Sequence, residues 1–92
     1  MVRKKWDTAE KVREVVKPGQ RPFTLYKLST PYQYGNKRIG FFAIAHIPIS
    51  GLNLTSIWPA TEAGEILGYL PLMATAQSTV KSLFKHFGYK VI

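Results

Sequence analysis

The sequence predicts an α+β fold: a single small domain, 1–92, in which an antiparallel sheet of three or four strands carries an N-terminal helix and a long C-terminal helix. Three observations lead there. Met73, Ala76, Val80, Leu83, Phe84 and Phe87 recur at steps of three and four, forming one apolar stripe at helical spacing. Three β-rich stretches stand in the middle of the chain, and the connections between them are short enough for neighbours to pair. The chain has 92 residues and is 46% hydrophobic, enough for one core but not two.

The elements follow in order. Residues 1–6, MVRKKW, read as a flexible basic arm. Asp7 and Glu10 have capping-box spacing, and Ala9, Val12, Val15 and Val16 give a short helical stripe that Pro18-Gly19 stops. Residues 23–29, FTLYKLS, are aromatic and β-preferring and are bounded by Pro22 and Thr30-Pro31, which predicts a strand. A turn at Gly35-Asn36 leads into a second strand over 38–47 with apolar residues on both parities, as on a central strand: Ile39, Phe41, Ala43, Ala45 and Ile47 on one side, Phe42 and Ile44 on the other. Residues 52–58, LNLTSIW, predict a third strand with one wetter face. Over 61–70 the residues Ala63, Ile66, Leu67 and Leu70 fit a short helix capped by Thr61, while Gly64 and Gly68 weaken it and EILGYL fits equally a strand paired with its predecessor. The long helix spans 73–87, with Gly88 as its stop, and 89–92 leave room for a short last strand.

Charge is the strongest functional signal. There are 13 Lys+Arg against 5 Asp+Glu, a net charge of +8. Residues 1–27 hold eight basic and three acidic residues, Lys37 and Arg38 follow, and 39–80 contain no Lys or Arg before Lys81, Lys85 and Lys90. Such segregation favours a polyanion or an acidic protein surface as partner. With no cysteine, disulfides, thiolate nucleophiles and cysteine-bound metals are excluded. No apolar run approaches the roughly 20 residues a membrane span needs, and the N-terminus lacks a secretory pattern, so a cytoplasmic protein without a membrane partner is expected.

Enzyme chemistry finds no foothold. His46 and His86 lie on separate elements without HxH or HExxH spacing, and phosphate-loop and dinucleotide fingerprints are absent. Glu62 and Glu65 sit near an expected helix start, where carboxylates are stabilised without any catalytic duty. No enzyme activity, cofactor or metal is therefore expected.

Nucleic-acid binding, DNA before RNA, is the expected function, and it rests on three surfaces. Arg3, Lys4 and Lys5 could contact phosphate from the arm, although a solubilising tail would have the same composition. Lys27, Tyr32, Tyr34, Lys37 and Arg38, with Tyr26, mix aromatic and basic residues around one hairpin, a combination suited to stacking on bases while holding backbone, or simply to covering a sheet edge. Gln77, Ser78, Lys81, Ser82 and Lys85 give the last helix an acid-free polar face compatible with a groove. The stretch STVKSLFKHFG resembles the recognition helix of helix-turn-helix regulators over about a dozen residues. Nine residues separate Gly68 from Ser78, where that motif has a tight turn, so the likeness stays local. The αβββα order is similar to double-stranded-RNA-binding domains, with Ala74-Thr75-Ala76-Gln77 in place of a lysine-rich helix start. The alternative expectation is a small protein-interaction module, an inhibitor or accessory factor of a phage or other mobile element, docking on an acidic protein. Its apolar, cation-free middle would also suit a homodimer.

Overall fold

The computed structural model describes residues 6–92. The described residues are mostly β, 57% strand against 8% helix, and the expected α+β fold with two helices is overturned. Its elements are β1 (Asp7–Val15), β2 (Phe23–Tyr34), β3 (Lys37–Ile49), β4 (Leu52–Ala60), β5 (Met73–Thr75), α1 (Val80–His86) and β6 (Tyr89–Val91). They form one curled six-stranded sheet in the order β5-β4-β3-β2-β1-β6. Neighbours pair antiparallel except β6, which runs parallel to β1, so the sheet is mixed.

The three central strands lie where expected but run further. Thr30-Pro31 does not end β2; it falls in a register shift between Lys27 and Tyr32, where a proline is tolerated because the ladder is already interrupted. The two tight turns use left-handed residues: Gly35 (φ 62°) between β2 and β3, and Ser50-Gly51 (φ 49° and 81°) between β3 and β4.

The N-terminal helix is β1 instead. A bulge between Lys11 and Arg13 shifts the register, so Ala9 faces one side of the sheet, Val15 the other, and Val12 is left exposed. That bulge produces the step of three which mimics a helix in the sequence. Valines that lose rotamer freedom in a helix gain a ladder here.

The long C-terminal helix shrinks to the seven residues of α1. Met73–Thr75 instead pairs with Thr55–Ile57 and satisfies the edge of β4, which would otherwise expose unpaired backbone groups. The helix starts only at Thr79, whose hydroxyl accepts the Ser82 amide at 3.2 Å. It closes at Phe87, followed by Gly88 (φ 93°), as the sequence predicts. Residues 61–70 form neither a helix nor a full strand. Thr61 Oγ1 accepts the Glu65 amide at 3.1 Å, and Ile66 makes a single antiparallel bridge to Ala60.

Two cores lie on opposite faces of the sheet. The helix face holds Ala9, Leu28, Ile39, Phe42, Ile44, Ile57, Phe84 and Tyr89. Phe42 is its hub, with ring centroids of Tyr32, Phe84, Phe87 and Tyr89 at 5.4 to 5.9 Å, mostly edge-on. The opposite face, here the open face, holds Val15, Phe23, Leu25, Ala43 and Ala60, flanked by Phe41, Ala45 and Trp58. The 61–65 turn is tied to β1 beside it: Arg13 Nη2 donates to Glu62 O at 3.2 Å and Lys17 Nζ to Gly64 O at 3.1 Å. No helix among the described residues is long and apolar enough to cross a membrane.

Candidate functional site

The fold sorts the sequence-predicted residues into three groups. Lys37 and Arg38 occupy the start of β3 at the exposed hairpin tip, and Tyr34 pairs with Lys37 across it. Lys81 and Lys85 stand on the exposed side of α1, while Leu83 and Phe84 point into the core. The hairpin and the helix end meet through Tyr32, whose ring lies 5.5 Å from that of Phe87 at 87°. The Tyr89 hydroxyl adds a second tie, donating to Thr30 O at 2.6 Å. Among the described residues, Lys37, Arg38, Lys81 and Lys85 are held by no side-chain hydrogen bond or ion pair. Arg13 and Lys17, by contrast, are committed to backbone carbonyls of the 61–65 turn.

Other expectations need correcting. Tyr32 is half-buried, with its ring in edge contact with those of Phe42 and Phe87, so part of it is committed to the helix-face core. Lys27 stands opposite Glu10 in register on the β1–β2 ladder, away from the hairpin tip that carries Lys37 and Arg38. Gln77 and Ser78 precede α1 in the turn after β5, with the Gln77 amide donating to Thr75 Oγ1 at 3.2 Å, and therefore do not share a helix face with Lys81 and Lys85. Tyr26 packs against Phe84 at 4.8 Å, and burial pushes its phenol above the ordinary range. Arg3, Lys4 and Lys5 lie outside the described residues.

The acidic residues concentrate elsewhere. Asp7, Glu10 and Glu14 belong to β1, and Glu62 and Glu65 to the turn after β4. Asp7, which approaches the hairpin from β1, accepts the Thr30 hydroxyl at 2.8 Å.

Two features were missed by sequence reasoning. Tyr69 is 99% exposed and Leu70 76%, on a bend whose Gly68 lies against the Tyr34 hydroxyl. The bend thus brings a second exposed tyrosine to the cationic hairpin. Tyr69 gives little signal in the sequence, because EILGYL reads as part of a short helix or as a strand paired with its predecessor.

The second feature is a hollow of about 220 Å³ on the open face. Ala45 and Trp58 line it from the sheet, with Phe23, Ile47 and Ile66 around them and Gln20 and Arg21 from the β1–β2 connection. Trp58 Nε1 donates to Ser56 Oγ at 2.9 Å, and Ser56 Oγ donates to Ala45 O at 3.0 Å. Ser56 is fully buried, so this relay fixes the indole.

The histidines do not converge. His46 is exposed, with Nδ1 3.2 Å from Thr55 Oγ1, and the His86 ring lies edge-on to Phe87 at 5.1 Å. Among the described residues no group of three or more His, Asp or Glu is placed to hold a metal ion. Comparison with known proteins finds no family model, no curated protein and no solved structure that matches the chain.

Proposed function

We propose that the protein is a non-enzymatic nucleic-acid-binding module that holds the phosphate backbone with Lys37, Arg38, Lys81 and Lys85 and stacks unpaired bases on Tyr34 and Tyr69. The observation that carries this reading is the Tyr32–Phe87 contact, which packs the hairpin against the helix end, while among the described residues their four cations have no side-chain partner. Cations without internal partners are available for phosphate, and releasing counterions from the nucleic acid supplies the driving force. Exposed tyrosines beside them suit single strands, whose bases present faces a duplex conceals. A seven-residue helix preceded by a turn gives poor purchase on a major groove, so sequence readout is not part of the proposal.

Fluorescence anisotropy with single-stranded and duplex oligonucleotides across a salt series tests it. With four phosphates engaged, log K should fall with log salt at a slope of roughly −3 on a single strand and −3.6 on a duplex. Lys81→Ala with Lys85→Ala should flatten either slope by about 1.5 to 2. Tyr69→Ala should weaken the single strand alone, by about 1 to 3 kcal/mol. Absence of binding to any of these at about 0.1 M salt would overturn the reading and leave the charge as a docking surface for an acidic protein.

A further inference from the structure

We propose that the hollow on the open face binds a small apolar anion, by class an aromatic carboxylate of about two fused rings. Its size sets the scale. At about 220 Å³ it exceeds the roughly 150 Å³ of an apolar cavity known to take benzene, and it falls short of the 300 to 1,000 Å³ usual for drug-sized ligands.

The lining sets the chemistry. Phe23, Ala45, Ile47, Trp58 and Ile66 offer apolar surface, and the indole N–H of Trp58 is already spent on Ser56. A nucleobase, with polar edges all round, would leave most of them unpaired against these walls, at a cost for each. A hydrocarbon ring system has no such debt and can lie against the indole face. The polar end of the ligand must then reach the β1–β2 connection, where Arg21 stands exposed beside Gln20. Among the described residues no carboxylate lines the hollow. A guanidinium with no acidic neighbour in the lining selects a carboxylate, which it can hold by two parallel hydrogen bonds.

Preorganisation supports a site over a packing fault. Ser56 is a fully buried polar side chain within the sheet, and its two hydrogen bonds lock the orientation of the tryptophan at the hollow. A ring wall fixed in advance loses little freedom when a ligand arrives.

The test is a two-dimensional NMR titration of the full chain with 2-naphthoate and, separately, with its neutral counterpart 2-naphthalenemethanol. Saturable shifts at the Trp58 indole N–H and the Ala45 and Ile47 methyl signals are expected for naphthoate, with at least fivefold weaker binding of the alcohol. Arg21→Gln, an exposed substitution, should abolish that preference while leaving the alcohol unchanged. Ala45→Leu should remove both by filling the hollow. Equal binding of acid and alcohol, an Arg21→Gln variant that keeps the preference, or shifts that do not saturate or fall elsewhere would each overturn the proposal. Because none of these residues belongs to the hairpin and helix surface, the result is independent of whether nucleic acid binds.

Discussion

The two faces of β3 differ in a way that four consecutive residues specify. Phe42 and Ile44 point to the helix face, where both are buried and Phe42 is ringed by aromatics; Ala43 and Ala45 point to the open face, Ala43 fully buried in its core and Ala45 lining a hollow. One strand therefore builds a filled core on one side and, on the other, a smaller core that gives way to an open hollow. A filled face gains dispersion and area burial from every side chain, whereas alanines leave a space that only a neighbour or a ligand can occupy. Stability and binding capacity are thus divided between the two sides of one sheet, with polar ties such as the Ser56 relay holding the hollow side in shape.

The sharpest way to break this comparison is to truncate adjacent phenylalanines. Phe42 is fully buried at the hub of the ring cluster, so Phe42→Ala should cost about 3 to 5 kcal/mol. In a domain of this size that is a large part of the total. Phe41, half-buried on the open face, should cost about 1 to 2 kcal/mol, since its site is already partly wet. Urea denaturation of both variants measures the difference. Equal losses would show that the open face is packed as tightly as the other.

A smaller effect probes how the open face keeps its shape. Ser56→Ala removes the acceptor for Trp58 Nε1 and a donor to Ala45 O, leaving an indole N–H to find water or turn. The expected loss is about 1 to 3 kcal/mol, accompanied by a red shift and broadening of tryptophan emission recorded in a Trp6→Phe background. An unchanged spectrum would mean that packing alone positions the ring.

These contrasts also explain what the sequence could and could not disclose. The three central strands were legible because alternation, aromatic content and turn residues agree over 23–60. β1 was not, because its bulge places Ala9, Val12 and Val15 at steps of three, and periodicity alone cannot separate that from a helical turn. β5 was hidden within a stripe that continues into α1; what decides it is the unpaired edge of β4, a partner some twenty residues away. At the candidate site, Lys37, Arg38, Lys81 and Lys85 could be named from charge segregation. That the hairpin carrying Lys37 and Arg38 touches the end of the helix carrying Lys81 and Lys85 depends on Tyr32 meeting Phe87, a contact across 55 positions that no local pattern carries. The partial burial of Tyr32 is hidden for the same reason, since an aromatic on a strand looks identical whether it caps a core or faces solvent.

The smallest effect expected at neutral pH grows under alkali and sharpens the comparison from the helix face. The Tyr89 phenol is buried, donates to Thr30 O, and has its pKa pushed up to about 12 by burial, with the Asp7 carboxylate and Tyr32 adding to the rise. In the unfolded chain it ionises near its ordinary value of about 10. The folded state thus favours the protonated phenol, so its contribution is complete below about pH 10 and is lost as the pH climbs from there toward about 12. Tyr89→Phe should cost about 0.5 to 1.5 kcal/mol at neutral pH by removing the hydrogen bond. Phenylalanine has no proton to lose, so the gap between the two proteins should narrow as alkali is added and reverse before the wild type unfolds. Urea midpoints for both proteins from neutral pH to about pH 11.5 measure this, with the alkaline ionisation of the other tyrosines common to both curves. Parallel curves would mean that Tyr89 ionises like a solvent-exposed phenol. The ring cluster would then be no drier than the hollow behind it, and the division between the two faces would fail where it is most direct to measure.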